Sequence, residues 1–187
     1  MLYEKTRELT QLSLQHWLDE EVFSFGWFLM VAILIVAYVV WLKLLDKRRA
    51  TELLLIGSLE AVAKSINSIV LGGLLGLAHY NVKLLPINPN VFISSITLSP
   101  IIIMLAEQYC HSWKGFIVRM AIGNAALNFI IFPIYDYVGI LEFYNWNVFF
   151  HFLVLLVISL IVRLAFLWIM GTQERHTLAP EKRTHPS

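Results

Sequence analysis

The chain has 187 residues, of which 58% are hydrophobic and only 14% charged, with a formal net charge of +1 and a mean hydropathy of +0.70. Soluble domains devote about a quarter of their residues to charge, so this composition excludes that class and puts the chain in a lipid bilayer. No basic stripe points to nucleic acid, and a single cysteine, Cys110, excludes an internal disulfide and any multi-thiolate metal site.

Residues 1–21 set Leu9, Leu12, Trp17 and Leu18 among charges and predict an interfacial helix. The apolar run 22–42 is longer than a signal-peptide core, follows Asp19, Glu20 and Glu21 instead of a basic region, and lacks a small-residue cleavage site. It reads as a retained transmembrane helix. A crossing needs about 20 apolar residues, so spans are expected at residues 23–45, 53–78, 91–106, 115–133 and 148–170. The fold class is all-α: a polytopic transmembrane helix bundle of about five spans. The third span contains Ser94, Ser95, Thr97, Ser99 and Pro100, which leaves a kinked crossing and a re-entrant segment both open. Residues 1–171 form one helical domain, and the polar stretch 172–187, with Pro180 and Pro186, reads as a disordered cytoplasmic tail.

Lysine and arginine set the orientation. With the amino terminus outside, the inner ends collect Lys43, Lys47, Arg48, Arg49, Lys114, Arg119, Arg163, Arg175, Lys182 and Arg183, against Lys5, Arg7 and Lys83 outside. Phe23, Phe25, Trp27, Tyr80, Tyr144 and Trp146 then fall at the outer interface and Trp41, Tyr109, Trp113 and Trp168 at the inner one. The expectation is a multi-pass cell-membrane protein, amino terminus out and carboxy terminus in.

The second span is the informative one. Glu60, Lys64 and Asn67 fall on one helical stripe beside Gly57 and Ser68, and charges at such depth are rare and usually functional. Glu60 precedes Lys64 by four residues, the favourable order for an ion pair, which a low-dielectric interior demands. A structural pair, a ligand, ion or proton site, and a shifted helix with one charge snorkelling to the interface are all compatible with this pattern. In the fourth span Asn124 and Asn128 repeat the spacing, and if the two stripes face each other they form a polar seam. Gly72 and Gly76 have the Gly-x-x-x-Gly spacing of close helix packing, and Pro100 marks a packing position in the third span. Pro86 to Asn90 predicts a stiff external turn. His16, His79 and His151 lie toward the outer side, His111 toward the inner, and His176 and His185 in the tail. Only His79 and His151 can pair, too few for a zinc or haem site, so neither metal nor cofactor is expected. Enzymatic motifs are absent.

Between Pro100 and Trp146 lie Pro100 in an apolar segment, the Tyr109-Cys110-His111-Ser112-Trp113-Lys114 turn, Pro133, and Gly139-Ile140-Leu141-Glu142-Phe143-Tyr144-Asn145-Trp146. In these features the chain resembles a family of small, uncharacterised polytopic membrane proteins of spore-forming Bacillus and Clostridium relatives. The resemblance implies a bacterial cell membrane and a multi-helix bundle. Members can carry a carboxylate where this chain has Asn124 and Asn128, and the family has no established activity, so no functional residue is carried over.

Three functions fit these observations. One is non-enzymatic binding or translocation of a small polar or amphiphilic ligand through the seam of Glu60, Lys64, Asn67, Asn124 and Asn128. Another is a structural or sensory subunit without a ligand site, and the third a membrane enzyme without a recognisable motif. A bundle this small points to a homo-oligomer or a larger membrane complex within the lipid bilayer.

Overall fold

The computed structural model describes residues 2–86, 92–110, 112–144 and 147–178. Helices α1 (Leu2–His16), α2 (Phe25–Leu44), α3 (Ala50–Ser68), α4 (Ser99–Gln108), α5 (Trp113–Ala126), α6 (Phe132–Tyr137) and α7 (Val148–Leu178) make up most of it, with strands β1 (Ala78–Tyr80) and β2 (Leu141–Phe143). Four stretches are long and apolar enough to cross a membrane: Phe25–Leu44, Lys47–Leu74, Trp113–Tyr137 and Val148–Arg175. The remaining expected span is the shorter helix Ile93–Gln108. Side-chain oxygens start the helices where the sequence supplies them: Ser24 Oγ accepts from Trp27 N at 3.2 Å and Ser112 Oγ from Gly115 N at 3.1 Å.

Wider π-helical turns interrupt the ladders at Ile69–Leu74, Phe92–Leu98 and Leu127–Ile131. The last two lead directly into Pro100 at the start of α4 and Pro133 at the start of α6. Proline has no N–H for the usual bond to residue i−4, and a widened turn ahead of it relieves the clash of its ring with the preceding carbonyls. Pro100 thus changes the pitch of the third segment at the head of α4.

Helix α4 is the central element. Ile101, Ile103, Met104 and Ala106 are buried against Leu53 and Ile56 of α3, Phe116 and Met120 of α5, and Val162 and Phe166 of α7. A second buried cluster, with Met30, Ile93, Leu127, Phe132, Tyr135, Ile140 and Leu141, fills the end of the bundle where β1 and β2 lie. Leu54, Val62, Val118, Ile122, Val157 and Ile161 remain exposed on the outer faces, as lipid-facing side chains do.

Close helix approach occurs at Gly57 and Gly123. A Cβ on Gly57 would stand 2.9 Å from Met104 Sδ, and one on Gly123 would collide with Ile102 Cγ2. Gly76 lies beyond the helix, at φ +63° with nothing within 4 Å of its Cβ position, so within one copy of the chain it turns the backbone and packs no helix. The second span accordingly ends at Leu74, and Ala78 belongs to β1. Strands β1 and β2 pair antiparallel, with His79 opposite Glu142, a contact between sequence-distant loops that hydropathy alone does not reveal. At the far end α7 continues through Met170 and Gly171 to Leu178, into the expected tail, because no helix breaker occurs before Pro180. The turn at residues 87–90, His111, Trp146 and residues 179–187 lie outside the described residues.

The amino-terminal arm is pinned at its base. Buried Glu21 accepts from Lys83 N at 2.6 Å, Trp17 Nε1 donates to Lys83 O at 2.9 Å, and Phe23 takes a left-handed φ of 61° as the chain turns into α2. Leu9, Leu12 and Leu18 of this arm are exposed.

Candidate functional site

The two sequence-predicted stripes do face each other. Lys64 Nζ lies 3.0 Å from Glu60 Oε1 and donates to Asn124 Oδ1 at 3.1 Å, joining α3 to α5. Glu60, Lys64 and Asn124 are 0%, 1% and 0% exposed, so an ion pair and its amide partner sit wholly inside the bundle. Glu60 Oε1 also accepts from Ser159 Oγ of α7 at 2.6 Å. Asn128 Nδ2 donates to the Asn124 carbonyl at 2.8 Å, and Asn128 Oδ1 meets His151 Nδ1 of α7 at 2.8 Å. A continuous polar seam therefore runs from Ser159 through Glu60, Lys64, Asn124 and Asn128 to His151. Two of its buried atoms, Glu60 Oε2 and Asn124 Nδ2, have no hydrogen-bond partner among the described residues.

At the His151 end the seam reaches a cavity of about 380 Å³ beneath the strand pair. Its polar walls include Asn67, Ser68, His79, Tyr80, Ser94 and His151, and its apolar walls Leu71, Phe132, Leu141 and Phe143. The π-helical turns shape it: Leu71, Gly72 and Gly73 line it from one, Ser94 from another, and Asn128 in the third holds His151. Of the expected ligand-binding residues only Asn67 lines this space, while Glu60, Lys64, Asn124 and Asn128 lie behind it in the seam. Burial raises the Tyr80 phenol above its ordinary value of 10.0, which keeps that wall uncharged. In β2, hydrogen bonds donated by Tyr144 and by Asn81 Nδ2 hold the Glu142 carboxyl below its ordinary value.

A separate buried pair occupies the opposite end of the bundle. Arg163 Nε donates to Glu107 Oε2 at 2.7 Å, Arg163 Nη2 to Cys110 Sγ at 3.2 Å, and the guanidinium lies over the rings of Phe116 at 4.3 Å and Trp113 at 4.5 Å. Burial, then the neighbouring Glu107 carboxylate, raises the Cys110 thiol above its ordinary value.

Sequence reasoning missed Ser159 and the Glu107–Arg163 pair, and it placed His151 only with His79. The signal was present: His151, Leu155, Ser159 and Arg163 recur every fourth residue along the last helix, and all but Leu155 are polar. Both His79 and His151 line the cavity, but no cluster of metal-ligating side chains occurs among the described residues. The fold and the buried charges define a polytopic α-helical membrane protein. Comparison with known protein families, characterised proteins and solved structures finds no match to the chain.

Proposed function

We propose that this protein binds a small polar or amphiphilic ligand in the cavity beneath the strand pair, without catalysing a reaction, and that the polar seam carries the effect of binding or the ligand's path inward. The supporting observation is a mixed polar and apolar cavity whose wall residue His151 is hydrogen-bonded into the seam. About 380 Å³ falls within the usual range for small-molecule sites. The positive-inside rule puts Lys47, Arg48, Arg49 and Lys114 in the cytoplasm, so the cavity opens toward the outer face of the cell membrane. The family resemblance supports a bacterial membrane.

Photolabelling tests the reading. The full chain in phosphatidylcholine nanodiscs is irradiated with a trifluoromethyl-diazirinyl benzyl alcohol, a compact amphiphile, and the adducts are mapped by mass spectrometry. Adducts are expected on Leu71, Ser94 and Phe143, and their loss in Gly72→Leu, which fills the space. Adducts confined to lipid-facing residues such as Val118 and Ile161 would overturn it. A second reading, that the seam only fixes helix packing, is favoured by the burial of Glu60 and Lys64 away from the cavity wall. Under it the same experiment gives lipid-facing adducts alone.

A further inference from the structure

The direction of the hydrogen bonds between α5 and α7 is dictated by chemistry. A backbone carbonyl only accepts, so the group of Asn128 that meets the Asn124 carbonyl at 2.8 Å must be its amide nitrogen. Its oxygen, also an acceptor, is then what faces His151 Nδ1 at 2.8 Å. The imidazole therefore carries a proton on Nδ1, and an uncharged ring has its lone pair on Nε2. Nε2 has no hydrogen-bond partner among the described residues, and His151 forms part of the cavity wall. The rings of Phe132 and Phe143, centred 5.5 and 5.7 Å from the imidazole, fix its plane.

We infer that the cavity selects an uncharged hydrogen-bond donor, of the hydroxyl class, on a compact apolar body, and that His151 Nε2 is the atom that accepts its hydrogen bond. The inference rests on the cavity being a ligand site. Among the described residues no carboxylate, lysine or arginine lines the space, and the nearest buried charges, Glu60 and Lys64, neutralise each other, so the described walls offer an ionic ligand no fixed counter-charge. Leu71, Phe132 and Leu141 supply the surface for an apolar body, and a hydroxyl against Nε2 satisfies a ring nitrogen that has no partner among the described residues. A ligand of the same shape without the donor leaves that nitrogen desolvated and unpaired, a difference of about 10-fold in affinity.

The test uses the same diazirinyl benzyl alcohol and its methyl ether, which has the same body and no donor. Labelling of Leu71, Ser94 and Phe143 is compared in the wild-type chain, in His151→Asn, which keeps a donor near Nδ1 and has nothing at Nε2, and in His151→Gln, which puts an amide oxygen near the Nε2 position. The alcohol is expected to label cavity residues at about 10-fold lower concentration than the ether, His151→Asn to remove that preference, and His151→Gln to keep most of it. Equal labelling by both compounds in the wild type would overturn the inference while leaving the site intact. Lipid-facing adducts alone, from both compounds, would overturn the site itself and the inference with it. Should His151→Asn not fold, the wild-type comparison of alcohol with ether decides the question unaided.

Discussion

The Glu60–Lys64 pair makes a quantitative prediction because removing one charge and removing both have different consequences. At 3.0 Å the attraction is about 5 kcal/mol for an effective dielectric constant of about 20. Taking two charges out of water costs several kcal/mol each, so the pair contributes little net stability, yet breaking it costs about 3–5 kcal/mol. Glu60→Gln keeps an oxygen for Ser159 but leaves the Lys64 ammonium with neutral acceptors only. Lys64→Met leaves the Glu60 carboxylate with the Ser159 hydroxyl alone. Each single change should lower the melting temperature by about 10 °C, at about 2–4 °C per kcal/mol for a chain of this size. The double change Glu60→Leu with Lys64→Met removes both charges, and Ser159 keeps its bond to the Leu155 carbonyl at 2.9 Å. Its residual cost is the Asn124 Oδ1 left without a donor, about 1–3 kcal/mol, which adding Asn124→Leu should reduce. Thermal unfolding in nanodiscs, followed by tryptophan fluorescence, measures the cycle. A double mutant that loses as much as the two singles summed would refute the coupling and with it the buried seam.

Gly123→Ala should destabilise by about 1–3 kcal/mol through collision with Ile102, and Ile102→Ala, which removes the colliding methyl, should restore much of the loss in the same melting assay. Cys110 is buried beside Glu107 and Arg163 with a raised thiol pKa, so a membrane-impermeant maleimide should modify it slowly from either side. Thr51→Cys in a Cys110→Ser background, exposed at the basic end, should be modified in inverted vesicles and spared in intact cells; the reverse would invert the topology. Tyr144 and Asn81 depress the Glu142 pKa below its ordinary 4.5, so their stabilisation is fully present above that value and fades as the pH falls through the lower native one. Tyr144→Phe should therefore melt slightly below the wild type at neutral pH, and the gap should close in strong acid; a gap that persists there would place the role of Tyr144 elsewhere.

The bundle was legible because the bilayer imposes its own period and length on the sequence, and the ion pair because Glu60 and Lys64 break an apolar stretch where charge must be partnered. The facing of Asn124 toward Lys64 was legible as a condition, since matching polar stripes on two helices have few other places to go. The cavity was not. Its walls come from π-helical turns, whose extra residue per turn has no hydropathy signature, and from a strand pair joining residues about sixty positions apart. Gly76 was ambiguous for a related reason: a packing motif and a turn glycine look alike until the end of the helix is known.

His151, Ser159 and Arg163 are mounted on a single uninterrupted rod, α7, on a ridge of i, i+4 positions about 18 Å long. The rod touches the cavity through the first, the Glu60–Lys64 pair through the second and the Glu107–Arg163 pair through the third. Such a rod acts as a crankshaft. A few degrees of torsion about its axis would displace all three contacts together, which gives a disturbance at one mouth of the bundle a route to the other that needs no intervening loop.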